Sequence, residues 1–185
     1  AITSNKSGLF GCDGGSNATS CMFTFDNSQN DSLRCENDFS SGDMAGKTHA
    51  RYRDPSAWYH VCIAVDSTQS SVTDGLRFYV NGTLETLQST TWSQNTEFEI
   101  NAAIAHCIAS DTGDDNRSFG GLMSQVYFLD GQSLDASYFG FTDPLTGIWR
   151  PKTFTGDFES NGVNTFTSGT GGYPILNTNG NGTAA

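Results

Sequence analysis

Basic residues are scarce in this chain: 9 Lys and Arg stand against 20 Asp and Glu in 185 residues, a formal net charge of -11. A field of that sign repels phosphate and removes the counterion-release contribution that dominates nucleic-acid affinity, so no nucleic-acid partner is expected. Long apolar runs are missing too. None approaches the roughly 18 residues a membrane span needs, and no membrane insertion is expected. No basic-then-apolar leader opens the chain, which is expected to begin after processing or to be a piece of a longer protein. The five cysteines, Cys12, Cys21, Cys35, Cys62 and Cys107, include no Cys-x-x-Cys pair, which argues against zinc. Their number is odd, so internal pairing cannot consume them all. The expectation is mostly buried, reduced thiols on strands, and Cys12 with Cys21 across a hairpin is the most plausible bridge if any forms.

Helical periodicity is absent beyond a turn or two, whereas Gly 21, Phe 13, Tyr 6 and Trp 3 supply what short strands and tight turns use. The first third offers strands at Ser7 to Cys12, Cys21 to Asp26, Ser32 to Asn37 and Lys47 to Tyr52, with DGGSN, NSQND and SSGD between them. AWYHVCIAVDS, Ala57 to Ser67, is apolar on both faces and predicts a strand in the middle of a sheet, with Trp58 in the core. GLRFYVNGTLETL, Gly75 to Leu87, carries an Asn81-Gly82 hairpin turn. The β pattern resumes over Glu97 to Ser110 and again over FGGLMSQVYFLDGQSLD, Phe119 to Asp135, with an exit turn at Asp130-Gly131. SLDASYFG then predicts a short helical turn capped by Ser133 and ended by Gly140. The fold class is all-β, an antiparallel sandwich over residues 1–140. Residues 141–185 lose the alternation and predict an extended, Gly/Asn/Thr-rich C-terminal arm.

Three of these pieces together resemble the laminin G-like, concanavalin-type jelly roll: AWYHVCIAVD with LRFYVNGTL, then IAHCIAS, then FGGLMSQVYFLDGQSLD. In that family a Trp-[His/Tyr]-His strand precedes a Tyr-Val-Asn/Asp-Gly hairpin, and a late Phe-x-Gly strand closes the sheet. The continuation, with Phe139-Gly140, Asp143, Gly147, Trp149, Pro151 and Lys152, is similar to versions of this domain in tailed-bacteriophage virion proteins. That resemblance implies a tail fibre, head fibre or capsid decoration protein, located on the virion or extracellularly. Its partners would be other virion subunits, with a homo-oligomer expected, and a cell-surface glycan. Family members open with a Phe-Trp-Val-type strand pair that has no match here. Either the chain is a fragment, or a neighbour adds the missing strand.

Concanavalin-like folds also include glucanases, so paired carboxylates matter. A retaining glycosidase needs two carboxyls about 5 Å apart on one strand face. Glu36 with Asp38 has Ser40 and Ser41 where a third acid would stand, and Glu97 with Glu99 has no Asp between. Both read as solvent-facing acids, and no enzyme is expected. His49, His60 and His106 fall on separate strands with no nucleophile elbow, and His60 is expected to pack with its tip hydrogen-bonded. Asp111, Asp114, Asp115 and Asn116 crowd hard oxygens into DTGDDN. Calcium would suit them, although the EF-hand spacing is absent and a solvated turn explains them more simply. The laminin G-like resemblance implies calcium at a sandwich rim. Trp92 in STTWSQNTE, with Asn95 beside it, could form a glycan platform or anchor its own loop. Trp149 is expected to dock the arm against the sandwich or a neighbour.

Overall fold

The computed structural model describes residues 6–13, 19–26, 31–39, 44–100, 102–110 and 117–156. In chain order the strands are β1 (Lys6–Asp13), β2 (Thr19–Asp26), β3 (Ser32–Phe39), β4 (Met44–Thr48), β5 (Val61–Val65), β6 (Leu76–Val80), β7 (Thr83–Leu84), β8 (Leu87–Thr91), β9 (Ala105–Ile108), β10 (Gly140–Thr142) and β11 (Trp149–Pro151). They build a six-stranded sheet in the order β8-β4-β3-β2-β1-β9, a three-stranded sheet β5-β6-β7 and a hairpin β10-β11. Every strand pair is antiparallel.

Alternation explains why the sheets stack. Cys21, Phe23 and Phe25 of β2 and Leu33 and Cys35 of β3 present one face. Leu76, Phe78 and Val80 of β6 face them across the sandwich, and all are buried. Tyr52 links the layers through edge-on contacts with Phe25 at 6.0 Å and Tyr59 at 5.4 Å. The β6–β7 turn is the Asn81-Gly82 step: both residues take left-handed φ, 49° and 79°, which is the two-residue hairpin geometry the dipeptide favours. Gly82 also lets the Trp149 indole lie flat over the turn, since a Cβ there would sit 2.2 Å from the ring.

Several expectations about the elements need correction. Ala57 to Ser67 yields only Val61–Val65 as strand, because Asp54 folds the preceding residues into a turn by accepting the Ser56 N–H at 2.9 Å. Trp58 therefore precedes the strand and is 66% exposed rather than core. Among the described residues β5 pairs with β6 alone. Both its faces are nevertheless covered: Val61, Ile63 and Val65 pack on the main core, and Cys62 and Ala64 on a second cluster with Tyr79, Ala136 and Trp149.

Phe119 to Asp135 is not a strand. Gln125 adopts a left-handed backbone, φ 53°, that interrupts the extended run, and Leu122 is 79% exposed. The segment instead covers the sandwich with its aromatics. Phe119 stacks on Phe25 at 6.2 Å and Phe128 on Phe10 at 5.8 Å. Glu97 to Ser110 likewise contracts to the short β9, with Ala109 left-handed at φ 62° immediately beyond it. The predicted helical turn is present as a 3-10 turn, Ala136–Tyr138, but Asp135 rather than Ser133 caps it, accepting the Ser137 N–H at 2.8 Å. Gly140 opens β10 instead of ending a helix. Beyond that turn, β10 and β11 form a hairpin, and Trp149 docks it against Gly82 and, at 5.7 Å, His60.

Candidate functional site

The rim at the end of β5 is shaped by Asp66. Its carboxylate accepts hydrogen bonds from the Thr68 N–H at 3.1 Å, the Thr68 hydroxyl at 2.6 Å and the Gln69 amide at 2.8 Å. Three donors on one carboxylate favour its charged form, so Asp66 is held below the ordinary carboxylate range. Its own N–H donates to Gly75 O at 2.7 Å, which closes the loop between β5 and β6.

A second loop lies against the first. Trp92 donates its indole N–H to Gln69 O at 2.9 Å, Gln94 donates from its amide to Thr68 O at 2.7 Å, and Asn95 donates its backbone N–H to Ser67 O at 2.7 Å. Asn95 holds a left-handed φ of 61°, a conformation its side chain tolerates better than most. The Trp92 ring packs down on Gly75, where a Cβ would stand 2.1 Å from the indole. Trp92 and Asn95, the candidate glycan-platform residues, stand on the same rim loop, each bonded to the loop after β5. Trp92 is half-buried and tied into its loop, while Thr68, Gln94 and Asn95 face water. Asp66, Thr68, Gln69 and Gln94 are further rim residues that sequence reasoning missed. Asp-x-Thr after a β run, the signature of a side-chain-capped turn, was the available signal for the first of them. The arrangement leaves the Thr68, Gln94 and Asn95 side chains exposed at one rim with the half-buried Trp92 indole.

The other candidates stand elsewhere. Asp111, Asp114, Asp115 and Asn116, the predicted calcium ligands, lie outside the described residues. Among the described residues, no group of three or more His, Cys, Asp or Glu is placed to hold a metal ion. Glu36 is ion-paired with Arg34, whose other nitrogen bridges to the fully buried Asp26 at 3.0 Å. Glu97 and Glu99 lie off any strand, so the one-face spacing that motivated the pair does not apply. His60 departs from expectation: its Nδ1 is buried without a hydrogen-bond partner among the described residues, and burial pushes its pKa down.

The family model for the concanavalin A-like lectin/glucanases superfamily matches residues 2–136, a span that includes both sheets and both rim loops. The chain belongs to that superfamily. No curated protein and no solved structure matches it. Within this superfamily member, the rim loops occupy the connections after β5 and after β8, and the match ends ahead of the β10–β11 hairpin.

Acid should loosen these loop anchors. Asp54, Asp66 and Asp135 are held below their ordinary value of 3.8 by donors on neighbouring residues, and Asp143 is lowered to about 2. Their folded-state pKa values lie below the unfolded ones, so the unfolded chain takes up protons first as pH falls. The stabilisation is complete above 3.8 and is lost as pH falls toward about 2. Urea midpoints measured across that window should decline with pH. A flat profile would show that these turns contribute nothing.

Proposed function

We propose that this superfamily member is a non-catalytic, lectin-like virion protein, a phage fibre or capsid decoration subunit whose sandwich serves assembly and host-surface glycan adhesion. The observation that carries the adhesive half is the rim. Two loops distant in sequence converge there, leaving Thr68, Gln94 and Asn95 in water beside Trp92. Hydroxyl-rich ligands suit such a surface, because each amide supplies both a donor and an acceptor and the indole supplies a face for sugar C–H groups. The virion half rests on the resemblance of the Phe139 to Lys152 segment. Its support here is that Trp149 fastens that segment to the sandwich over Gly82 and Gly140, making it a built element rather than a loose tail.

The test is a glycan array probed with the whole chain, once with calcium and once with chelator, beside light scattering to size the particle. Capture of a surface polysaccharide by a defined oligomer supports the reading, and loss of capture in chelator would add calcium to it. Cleavage of the captured polysaccharide, abolished by Glu36→Gln, would replace it with a glycosidase. A monomer that captures nothing would remove it.

A further inference from the structure

A row of sulfur, imidazole and amide crosses the large sheet and is used by nothing above. On β9, β1, β2 and β3 the residues His106, Cys12, Cys21 and Asn37 stand directly opposite one another in turn. Opposed residues of antiparallel strands share a face, with Cα atoms about 4.5 to 5.5 Å apart. That lies inside the about 4.4 to 6.8 Å that a disulfide requires. Cys12 is 2% exposed and Cys21 1%, and both are free thiols within hydrogen-bonding reach of each other. Cys35 is also buried and interacts with Cys21, but it stands opposite Phe23, so it meets Cys21 only on the diagonal. Diagonal neighbours are about 7 to 8 Å apart, too far for an unstrained bridge.

The two ends of the row are polar. His106 Nδ1 lies 2.8 Å from Ile104 O, and since a carbonyl only accepts, Nδ1 carries the proton and Nε2 is the ring's acceptor. Cys12 hydrogen-bonds to this imidazole, which is only half-buried. At the far end Asn37 is fully buried, and its Nδ2 has no partner among the described residues. One end of the row lies at the edge of the sheet, among the described residues. β9 is an edge strand of four residues, the kind of element that opens at low free-energy cost and would uncover Cys12.

We propose that Cys12 and Cys21 form an oxidisable dithiol that becomes a cross-strand disulfide between β1 and β2 when a disulfide oxidant reaches it past β9. The Cys12 thiol gives its proton to His106, and the resulting thiolate attacks one sulfur of the oxidant RS–SR. That bond breaks, RS⁻ departs and takes up the proton as RSH, and Cys12 carries the mixed disulfide. Cys21, deprotonated in turn, attacks the Cys12 sulfur and expels the second RSH. Two thiols are oxidised to one disulfide while one disulfide is reduced to two thiols, so the electrons balance. The adjacent Cys21 sulfur and burial raise the Cys12 pKa well above its ordinary value, so the closed fold resists oxidation, and the rate depends both on loosening of β9 and on proton transfer to His106 while it stays within reach.

The experiment incubates the whole folded chain with oxidised glutathione, then unfolds it, alkylates the thiols and maps the peptides by mass spectrometry. The expected result is that three of the five cysteines remain alkylatable. The missing pair is Cys12 and Cys21, joined in one cross-linked peptide pair lighter by two hydrogens. Cys35→Ser should give the same linkage, and His106→Gln should slow its formation at unchanged final yield. Five alkylatable thiols, a linkage through Cys35, Cys62 or Cys107, or an intermolecular dimer would each overturn the proposal. Because the mapping uses the native sequence, it stands even where a variant fails to fold.

Discussion

Replacing Phe78 with alanine is expected to destabilise the protein by about 3–5 kcal/mol, read as a lowered urea midpoint with little change in slope. Phe78 is the largest fully buried side chain among the described residues, 0% exposed, on the middle strand of the three-stranded sheet. It stands opposite Ile63 on β5 and faces the aromatic and thiol layer of β2 and β3. Truncation there removes apolar contacts from both layers, and strands hydrogen-bonded on each side cannot move in to fill the space. Leu84→Ala, on the exposed β7 of the same sheet, serves as the contrast and should stay within about 0.5 kcal/mol. Similar losses from the two substitutions would mean that the sheets are not packed as described.

Gly75→Ala should cost about 2–3 kcal/mol and dismantle the rim as well. The added Cβ would meet Trp92 at 2.1 Å and 2.5 Å and the Asp66 carbonyl oxygen at 2.9 Å. The indole has to leave, because the backbone beneath it is pinned by the Asp66 N–H bond to Gly75 O. Its departure breaks the Trp92 bond to Gln69 O and frees the loop that carries Gln94 and Asn95. Tryptophan fluorescence should report greater solvent exposure of the indole. A stable variant with unchanged emission would show that Trp92 does not seat on Gly75.

These two residues also show where local sequence speaks and where it stops. The β1, β2 and β3 strands and the Asn81-Gly82 turn were legible because short-range alternation and left-handed preference decide them. The closing strand was misread because Phe119 to Asp135 carries strand-like alternation yet turns left-handed at Gln125 and spends its aromatics as cover over Phe10 and Phe25. Trp58 was misread because a turn at Asp54, two positions into hydrophilic sequence, delays the strand beyond it. For the rim, Trp92 and Asn95 could be picked out by residue type alone. Their partners could not, since the bond from Gln94 to Thr68 spans 26 positions and depends on how the two sheets stack.

The adhesive reading is tested most directly by titrating the polysaccharide captured on the array against the native chain and against Asn95→Gly. Glycine holds the left-handed backbone of φ 61° without strain, so the variant should keep the native urea midpoint while losing only the side-chain amide. One hydrogen bond to a sugar hydroxyl is worth about 1 kcal/mol, so affinity should fall about fivefold. Unchanged affinity in a folded Asn95→Gly protein would contradict the rim as the glycan site.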